Sequence, residues 1–197
     1  MAATSPHRGG WLLFAAVALA AVASDLVSKS WIFALLGMPG TAPPIELVPQ
    51  ILRLQTNLNE GALFGMGQGL GTLFAGVSVL ALAGILAMLI RETTRADLRL
   101  VVALGLISGG IVGNLYDRLG LPGLAWHAPA DRLGQPVRAV RDWIHFELPG
   151  IIDWPIFNLA DSWLVIGAGL MVLATFWAGP EQPAAVATAP KGPEAGA

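Results

Sequence analysis

Four stretches of the sequence are apolar over lengths that suit a membrane-spanning helix. A spanning helix needs about 20 mainly apolar residues to cross a hydrocarbon core of about 30 Å. The stretches run from about residue 11 to 36, 70 to 90, 98 to 116 and 156 to 177. Because a span in lipid must satisfy its own backbone hydrogen bonds, each is predicted to be an α-helix. The pattern predicts an all-α membrane protein with four transmembrane helices in one domain, residues 1–179.

The connections between these stretches differ in composition. Residues 37–69 hold four prolines and an alternating run at 51–55, which predicts turns and short strands on the surface. Residues 91–97 form a short polar loop, and 120–155 form a long connection. The tail at 180–197 is rich in Ala and Pro and carries no apolar period, so it is predicted to be disordered.

Composition and charge agree with a membrane protein and exclude several function classes. The chain is 55% hydrophobic and only 12% charged, against about 25% charged in soluble proteins. The net charge of −2, without a Lys/Arg cluster, argues against nucleic-acid binding. The absence of cysteine excludes disulfides, thiolate metal sites and cysteine nucleophiles. Scattered histidines, with no His-Glu-x-x-His pattern, predict neither a metal nor a cofactor.

Basic residues near the spans predict the orientation, because cytoplasmic loops carry an excess of Lys and Arg. Arg91, Arg95 and Arg99 flank one short loop, and Arg8 precedes the first span. This favours both termini in the cytoplasm, although Arg118 and the three arginines of the 120–155 connection, Arg132, Arg138 and Arg141, are a counter-signal.

The N-terminal segment has a second interpretation. Residues 1–24 resemble a secretory signal with a cleavage site near Ala21–Ala23. The apolar character resumes through 31–36, which favours a single uncleaved span.

Ionisable residues inside spans are costly and are functional candidates by default. Asp25 and Lys29 lie four positions apart in the first span, so they share a helix face and can pair. A pair that only fixes helix packing and a pair that serves the site both remain open.

The third span combines small residues with a polar end. Gly105, Gly109 and Gly113 recur every four positions, a pattern that lets helix backbones approach closely. Asn114 and Arg118 then share a face, and Asp117 is expected to form a helix-end pair with Arg118 at the interface.

Two further acids lie near the start of the fourth span. Asn158 and Asp161 fit an N-cap and an acid in the first helical turn, which is a purely local interpretation. Asp142 lies among apolar and aromatic residues just upstream, where a solvated loop acid is the plain alternative. If both carboxyls share one partly dry site, however, like charges raise one pKa, and the pair can divide base and acid roles in hydrolysis.

Five sequence blocks resemble the lipoprotein signal peptidase (type II signal peptidase) family. In chain order they are Asp25-Leu-Val-Ser-Lys29, Asn59-Glu-Gly61-Ala-Leu-Phe64-Gly, Gly109-Gly-Ile-Val-Gly113-Asn114-Leu-Tyr-Asp117-Arg118, Val140-Arg-Asp142-Trp and Phe157-Asn158-Leu-Ala-Asp161-Ser162. Together they cover the chain from about residue 11 to 178.

This resemblance implies an aspartyl endopeptidase of the bacterial inner membrane with a small extracytoplasmic β-cradle within residues 37–69. It implies cleavage just before the diacylglyceryl-modified cysteine of prolipoproteins, on the extracytoplasmic side. Asp142 and Asp161 match the catalytic pair. The residues that match the substrate-binding or supporting positions are Asn59, Gly61, Asn114, Arg118, Asn158, Asp25 and Lys29. The expected partners are lipid-modified signal peptides and membrane lipids, with the protein itself monomeric.

Some features depart from the family pattern, and two other functions remain as alternatives. Residues 121–138 look like an insertion, Leu63 is larger than usual, and Trp143 replaces Phe or Met. A proton-coupled transporter predicts acids deep in the spans, yet only Asp25 is deep. A structural assembly subunit predicts that Asp142→Asn and Asp161→Asn remain functional.

Overall fold

Most of the described chain is helical. The computed structural model describes residues 6–61 and 70–177. Its α-helices are α1 Pro6–Leu36, α2 Gly71–Ile90, α3 Glu92–Ala96, α4 Leu98–Arg118 and α5 Leu159–Trp177. The long helices coincide with the predicted apolar stretches, and α3 lies in the segment predicted to be a polar loop. The predicted disordered tail at 180–197, and Leu63, fall outside the described residues.

Three helices of this described part are long and apolar enough to cross a bilayer: Gly9–Leu36, Gly71–Ile90 and Leu98–Arg118. The fifth helix is apolar over Leu159–Ala174, which is shorter than the roughly 20 residues of a typical span. The helical membrane class is therefore supported, whereas the fourth span stays a prediction.

The central helix of the bundle is α4. Over its apolar window 56% of the residues are buried inside the protein, against 11% in α2. The glycine pattern explains the close packing, because a Cβ at Gly109 would collide with Ala21 of α1 and one at Gly113 with the Asp25 carboxylate. The predicted role of these glycines in packing is confirmed.

A four-stranded antiparallel sheet covers one end of the bundle. Its strands, in the order in which they pair, are β1 Ile45–Val48, β2 Leu52–Asn59, β3 Val140–Leu148 and β4 Ile152–Asp153. The strands β1 and β2 confirm the short strands predicted between residues 37 and 69. The pairing of β2 with β3 sets Asn57 opposite Asp142 and Asn59 opposite Val140. Both long connections therefore contribute strands to this end of the bundle.

The strand β3 corrects the prediction that 120–155 is one long connection. Apolar residues at 144, 146 and 148 alternate with His145 and Glu147, which is a strand pattern. At its N-terminal end the strand is buried on both faces, so Val140, Arg141 and Asp142 are all inaccessible to solvent. Asp142 is thus a strand residue in the protein interior.

The helix α5 begins later than the predicted residue 156 because the preceding residues pair with β3. The carbonyl of Phe157 accepts from the backbone N–H groups of Trp143 and Ile144 at 2.9 and 2.8 Å. Asn158 Oδ1 then accepts from the Asp161 N–H at 3.0 Å, and Asp161 Oδ2 accepts from the Asn158 N–H at 3.3 Å. This reciprocal cap satisfies two backbone donors at the helix start and confirms the predicted local roles of both residues.

Candidate active site

Four buried charged side chains form an ion network at the sheet end of α1 and α4. Lys29 Nζ lies 2.7 Å from Asp25 Oδ2 and 3.0 Å from Asp117 Oδ2. Asp117 Oδ1 accepts from Arg141 Nε at 2.9 Å, and its Oδ2 accepts from the Arg141 backbone N–H at 3.1 Å. We call these four residues, Asp25, Lys29, Asp117 and Arg141, the ion network. Two are acidic and two are basic, so the ion network carries no net charge. Each buried charge in the ion network has a partner, because an unpaired buried charge is costly. The network joins α1, α4 and β3.

The expected pairing of Asp117 with Arg118 is wrong. Residues adjacent on a helix point about 100° apart and do not face each other. Asp117 therefore turns inward to Lys29 and Arg141, while Arg118 Nη2 donates to the Gly61 carbonyl at 3.1 Å. The role of Arg141 was missed by the sequence analysis, although its place beside Asp142 in a buried strand is the signal that could have found it.

Two asparagines connect the ion network to both candidate acids, and we call Asn114 and Asn158 the amide bridge. Asn114 Oδ1 accepts from Lys29 Nζ at 2.9 Å and from Asn158 Nδ2 at 3.2 Å. Asn114 Nδ2 donates to Asp161 Oδ1 at 2.8 Å. Asn158 Nδ2 also donates to Asp142 Oδ1 at 2.6 Å. The two aspartates are thus linked through successive side-chain hydrogen bonds.

The carboxyl of Asp142 is fully buried, which rules out the solvated loop acid. Burial is the largest effect that raises the pKa of Asp142 to about 8, and the negative charge of Asp161 is the second. The hydrogen bond from Asn158 acts in the opposite direction. Its Oδ2 is buried without a hydrogen-bond partner among the described residues. A protonated carboxyl at neutral pH fits this environment.

A cavity of about 240 Å³ opens beside the amide bridge. Its polar lining comes from Asn59, Asn114, Arg118 and Asp161. Apolar side chains complete the wall and include Val140, Ile156, Phe157 and Leu164. Asp161 therefore faces the cavity, whereas Asp142 is fully buried beside Asn158, so the two acids occupy different environments.

The end of β2 closes another side of the cavity. Asn59 Oδ1 accepts from the Gly61 N–H at 2.9 Å, and the Gly61 carbonyl accepts from Arg118. The Arg118 guanidinium also lies over the Phe74 ring of α2, 5.5 Å from its centroid.

All nine residues singled out from the sequence therefore lie in one connected region, although their chemical roles remain predictions. They are Asp25, Lys29, Asn59, Gly61, Asn114, Arg118, Asp142, Asn158 and Asp161.

A second group of titratable residues lies on the sheet. His145, Glu147 and Asp153 place ligand atoms within 4.8 Å of one another, as a metal site would. Arg53 nevertheless donates to His145 Nδ1 at 2.8 Å and to Glu147 Oε2 at 2.8 Å. A guanidinium at that position repels a cation, so the group is an ion-paired cluster, and the absence of a metal stays a prediction.

The chain is similar to known proteins along most of its length. Residues 17–177 match the family model described as Signal peptidase (SPase) II. The lipoprotein signal peptidase of Rhodopirellula baltica is 41% identical over 169 residues, which are 84% of this chain and 72% of that protein. The lipoprotein signal peptidase of Symbiobacterium thermophilum is 35% identical over 162 residues, 82% of this chain and 93% of that protein.

Solved structures agree with these matches. The structure of a bacterial membrane enzyme, determined by the in meso method at 2.3 Å resolution, has a TM-score of 0.67 and 29% identity to this chain. The similarity covers 85% of this chain and 91% of that one. Because the family model matches residues 17–177 and the Rhodopirellula baltica relative is 41% identical, the chain belongs to the signal peptidase II family.

Proposed function

We propose that this protein is an aspartic endopeptidase that removes signal peptides from diacylglyceryl-modified prolipoproteins, cutting just before the lipidated cysteine. Asp142 and Asp161 are its catalytic pair. The family match supports a signal peptidase, and the relatives named lipoprotein signal peptidase support prolipoprotein substrates.

The observation that carries this proposal is the contrast between the two acids. Asp142 is buried with a pKa of about 8, and Asp161 lines the cavity and accepts two hydrogen bonds. Enzymes that need an acid and a base at neutral pH place two titratable groups in environments that separate their pKa values. The amide bridge links both carboxyls in such an arrangement.

The proposed mechanism assigns the base to Asp161 and the acid to Asp142. Asp161 takes a proton from a water molecule in the cavity, and the water oxygen bonds to the scissile carbonyl carbon. Once substrate binding brings the carbonyl oxygen against the buried carboxyl of Asp142, Asp142 donates its proton to that oxygen, which gives a neutral tetrahedral intermediate. As the carbon–nitrogen bond breaks, the leaving amine takes the proton held by Asp161, and Asp142 recovers its own.

The other site residues are proposed to position the substrate. Arg118 and Asn59 offer polar groups at the cavity wall, and Gly61 holds both through hydrogen bonds. The signal helix enters sideways from the bilayer. Asp25 and Lys29 support the site through Asn114. This mechanism uses no metal or cofactor.

We further propose a multi-pass protein of the bacterial inner membrane, with four spans, its site on the extracytoplasmic side and both termini in the cytoplasm. Arg95 lies over the Trp11 ring at 5.8 Å, so the start of α1 and the α3 region share the end opposite the sheet. Arg91 and Arg99 flank that region, as the positive-inside rule requires. A monomer is proposed because one chain supplies every site residue.

The test is cleavage of a purified diacylglyceryl-modified prolipoprotein by the full chain in lipid bilayers. Mass spectrometry should find a product that begins with the free amino group of the lipidated cysteine. The same precursor without its diacylglyceryl group should remain intact. Cleavage at another bond, or equal cleavage of both precursors, would refute the proposed specificity.

A further inference from the structure

A second cavity, of about 400 Å³, lies on the other side of Arg118 from the candidate active site. It opens between the start of α2, the end of α4 and the loop at 119–139. Arg118, Arg132 and Arg138 line it together with Glu60, Gly71 and Thr72. We call it the arginine cavity. Two of its arginines belong to the segment that looks like an insertion.

The charges in the arginine cavity do not balance. Arg132 donates to Glu60 through Nη1 at 2.9 Å and through Nη2, and it lies over the Trp126 ring at 4.0 Å. The pair holds the pKa of Glu60 below its usual value, mainly through these hydrogen bonds. Glu60 is thus neutralised, and neither Arg118 nor Arg138 forms an ion pair within residues 6–61 and 70–177. The described lining carries an excess of two positive charges.

The position of the arginine cavity points to a lipid ligand. Below it, α2 exposes an apolar stripe with Leu73, Val77 and Leu80, three residues at spacings that share a helix face. In a bilayer this stripe contacts acyl chains, so the arginine cavity lies at head-group depth. The first N–H groups of α2 have no side-chain cap and add a weaker attraction for an anion.

We propose that the arginine cavity binds the phosphate of an anionic phospholipid whose acyl chains lie along α2. Arginine side chains recognise phosphate oxygens through planar, paired donors. A free phosphate ion would satisfy the same donors, but it would leave the apolar stripe without a partner. Arg118 lines both cavities, so the lipid contacts a wall of the site.

The test measures lipid retention by the purified full chain with native mass spectrometry, in the absence of peptide substrate. The probes are dioleoyl phosphatidylglycerol, dioleoylglycerol and inorganic phosphate. Phosphatidylglycerol should be retained and dioleoylglycerol lost. Because no cleavage is measured, failure here leaves the proposed protease function untouched.

Substitutions with opposite effects on charge make the test specific. Arg138→Gln should weaken phosphatidylglycerol retention about fivefold, since one Lys or Arg near a lipid surface has roughly that effect. Glu60→Gln should strengthen it by a similar factor, because Arg132 is then free for the phosphate. Arg91→Gln, at the opposite end of the bundle, is the matched control and should bind as the wild type does.

Equal retention by the wild type, Arg138→Gln and Glu60→Gln would overturn the proposal. Displacement of phosphatidylglycerol by an equal concentration of inorganic phosphate would also overturn it, since the apolar stripe would then contribute nothing.

Discussion

Lys29 donates a hydrogen bond from its ammonium group to Asn114 Oδ1 at 2.9 Å. An ammonium group can only donate, so Lys29 fixes which end of the Asn114 amide faces it. Asn114 Nδ2 must then point the other way, where it donates to Asp161 Oδ1 at 2.8 Å. A buried cation of α1 thereby orients a donor toward a candidate catalytic acid of α5.

Replacing Lys29 with Met should damage both the fold and the site. Asp25 and Asp117 would lose a shared buried partner, which should lower the free energy of unfolding by about 3 kcal/mol. The Asn114 amide would also be free to turn, so cleavage should fall about tenfold even well below the unfolding temperature. Thermal unfolding in detergent and a cleavage assay at low temperature measure the two effects.

Arg91→Gln provides the control for this change, because it removes an exposed positive charge far from the site. It should leave both quantities within experimental error. A stable and fully active Lys29→Met protein would show that the ion network does not orient Asn114.

The raised pKa of Asp142 predicts that stability and activity both decline at alkaline pH. The folded protein holds this proton up to about pH 8, whereas the unfolded chain releases it near pH 4. Between these values the folded state binds the extra proton, so the free energy of unfolding falls as pH rises. The stabilisation of the folded state by this proton is fully present below about pH 4 and is lost as the pH rises through about 8.

The rate of cleavage should fall as the same proton is lost, with an apparent pKa near 8. That apparent pKa belongs to the coupled pair of Asp142 and Asp161. Initial rates from pH 5.5 to 9.5 measure it. Asp131→Asn, at an exposed residue of a short 3-10 helix, should keep this alkaline decline. A rate that stays constant or rises up to pH 9.5 would contradict a protonated Asp142.

Asn158 combines a helix cap with a hydrogen bond to Asp142, and two substitutions separate these roles. Serine can cap α5 but cannot reach Asp142 as an amide donor, and alanine does neither. Asn158→Ala should therefore be less stable than Asn158→Ser by about 1 kcal/mol. Both variants should lose cleavage activity to a similar extent. If Asn158→Ser cleaved at the wild-type rate, its hydrogen bond to Asp142 would have no catalytic importance.

Gly113 lies against the Asp25 carboxylate, where a methyl group has no room. Gly113→Ala should therefore displace Asp25 from Lys29 and lower the unfolding temperature. Gly84→Ala is the matched control, since a Cβ at Gly84 of α2 meets nothing within 4 Å. A Gly113→Ala protein as stable as Gly84→Ala would show that α1 and α4 are not packed as described.

Helices and caps were the most predictable parts of this fold. Apolar stretches long enough to span a bilayer have few alternatives to helix, and Asn158 with Asp161 carries a local capping signal. Helix starts were less predictable: Phe157 is apolar, yet it pairs with β3 and delays α5. That pairing depends on a distant segment, which local patterns do not contain.

The site was predictable as a set of residues but not as a set of contacts. Motif resemblance selected Asp142, Asn158 and Asp161, whose separation in the sequence says nothing about their hydrogen bonds. The inward turn of Asp117 toward Lys29 depends on how α1 packs against α4. Its sequence neighbour Arg118 suggested a pairing that helix geometry disfavours.

The central claim is that Asp142 and Asp161 together cleave the peptide bond. The most direct measurement is the rate of signal-peptide removal from a diacylglyceryl-modified prolipoprotein by Asp142→Asn and Asp161→Asn proteins in bilayers, with Asp131→Asn as the matched control. Each of the first two should be slowed about 100-fold or more while remaining folded, and Asp131→Asn should match the wild type. Wild-type rates in either Asp142→Asn or Asp161→Asn would contradict the aspartic mechanism.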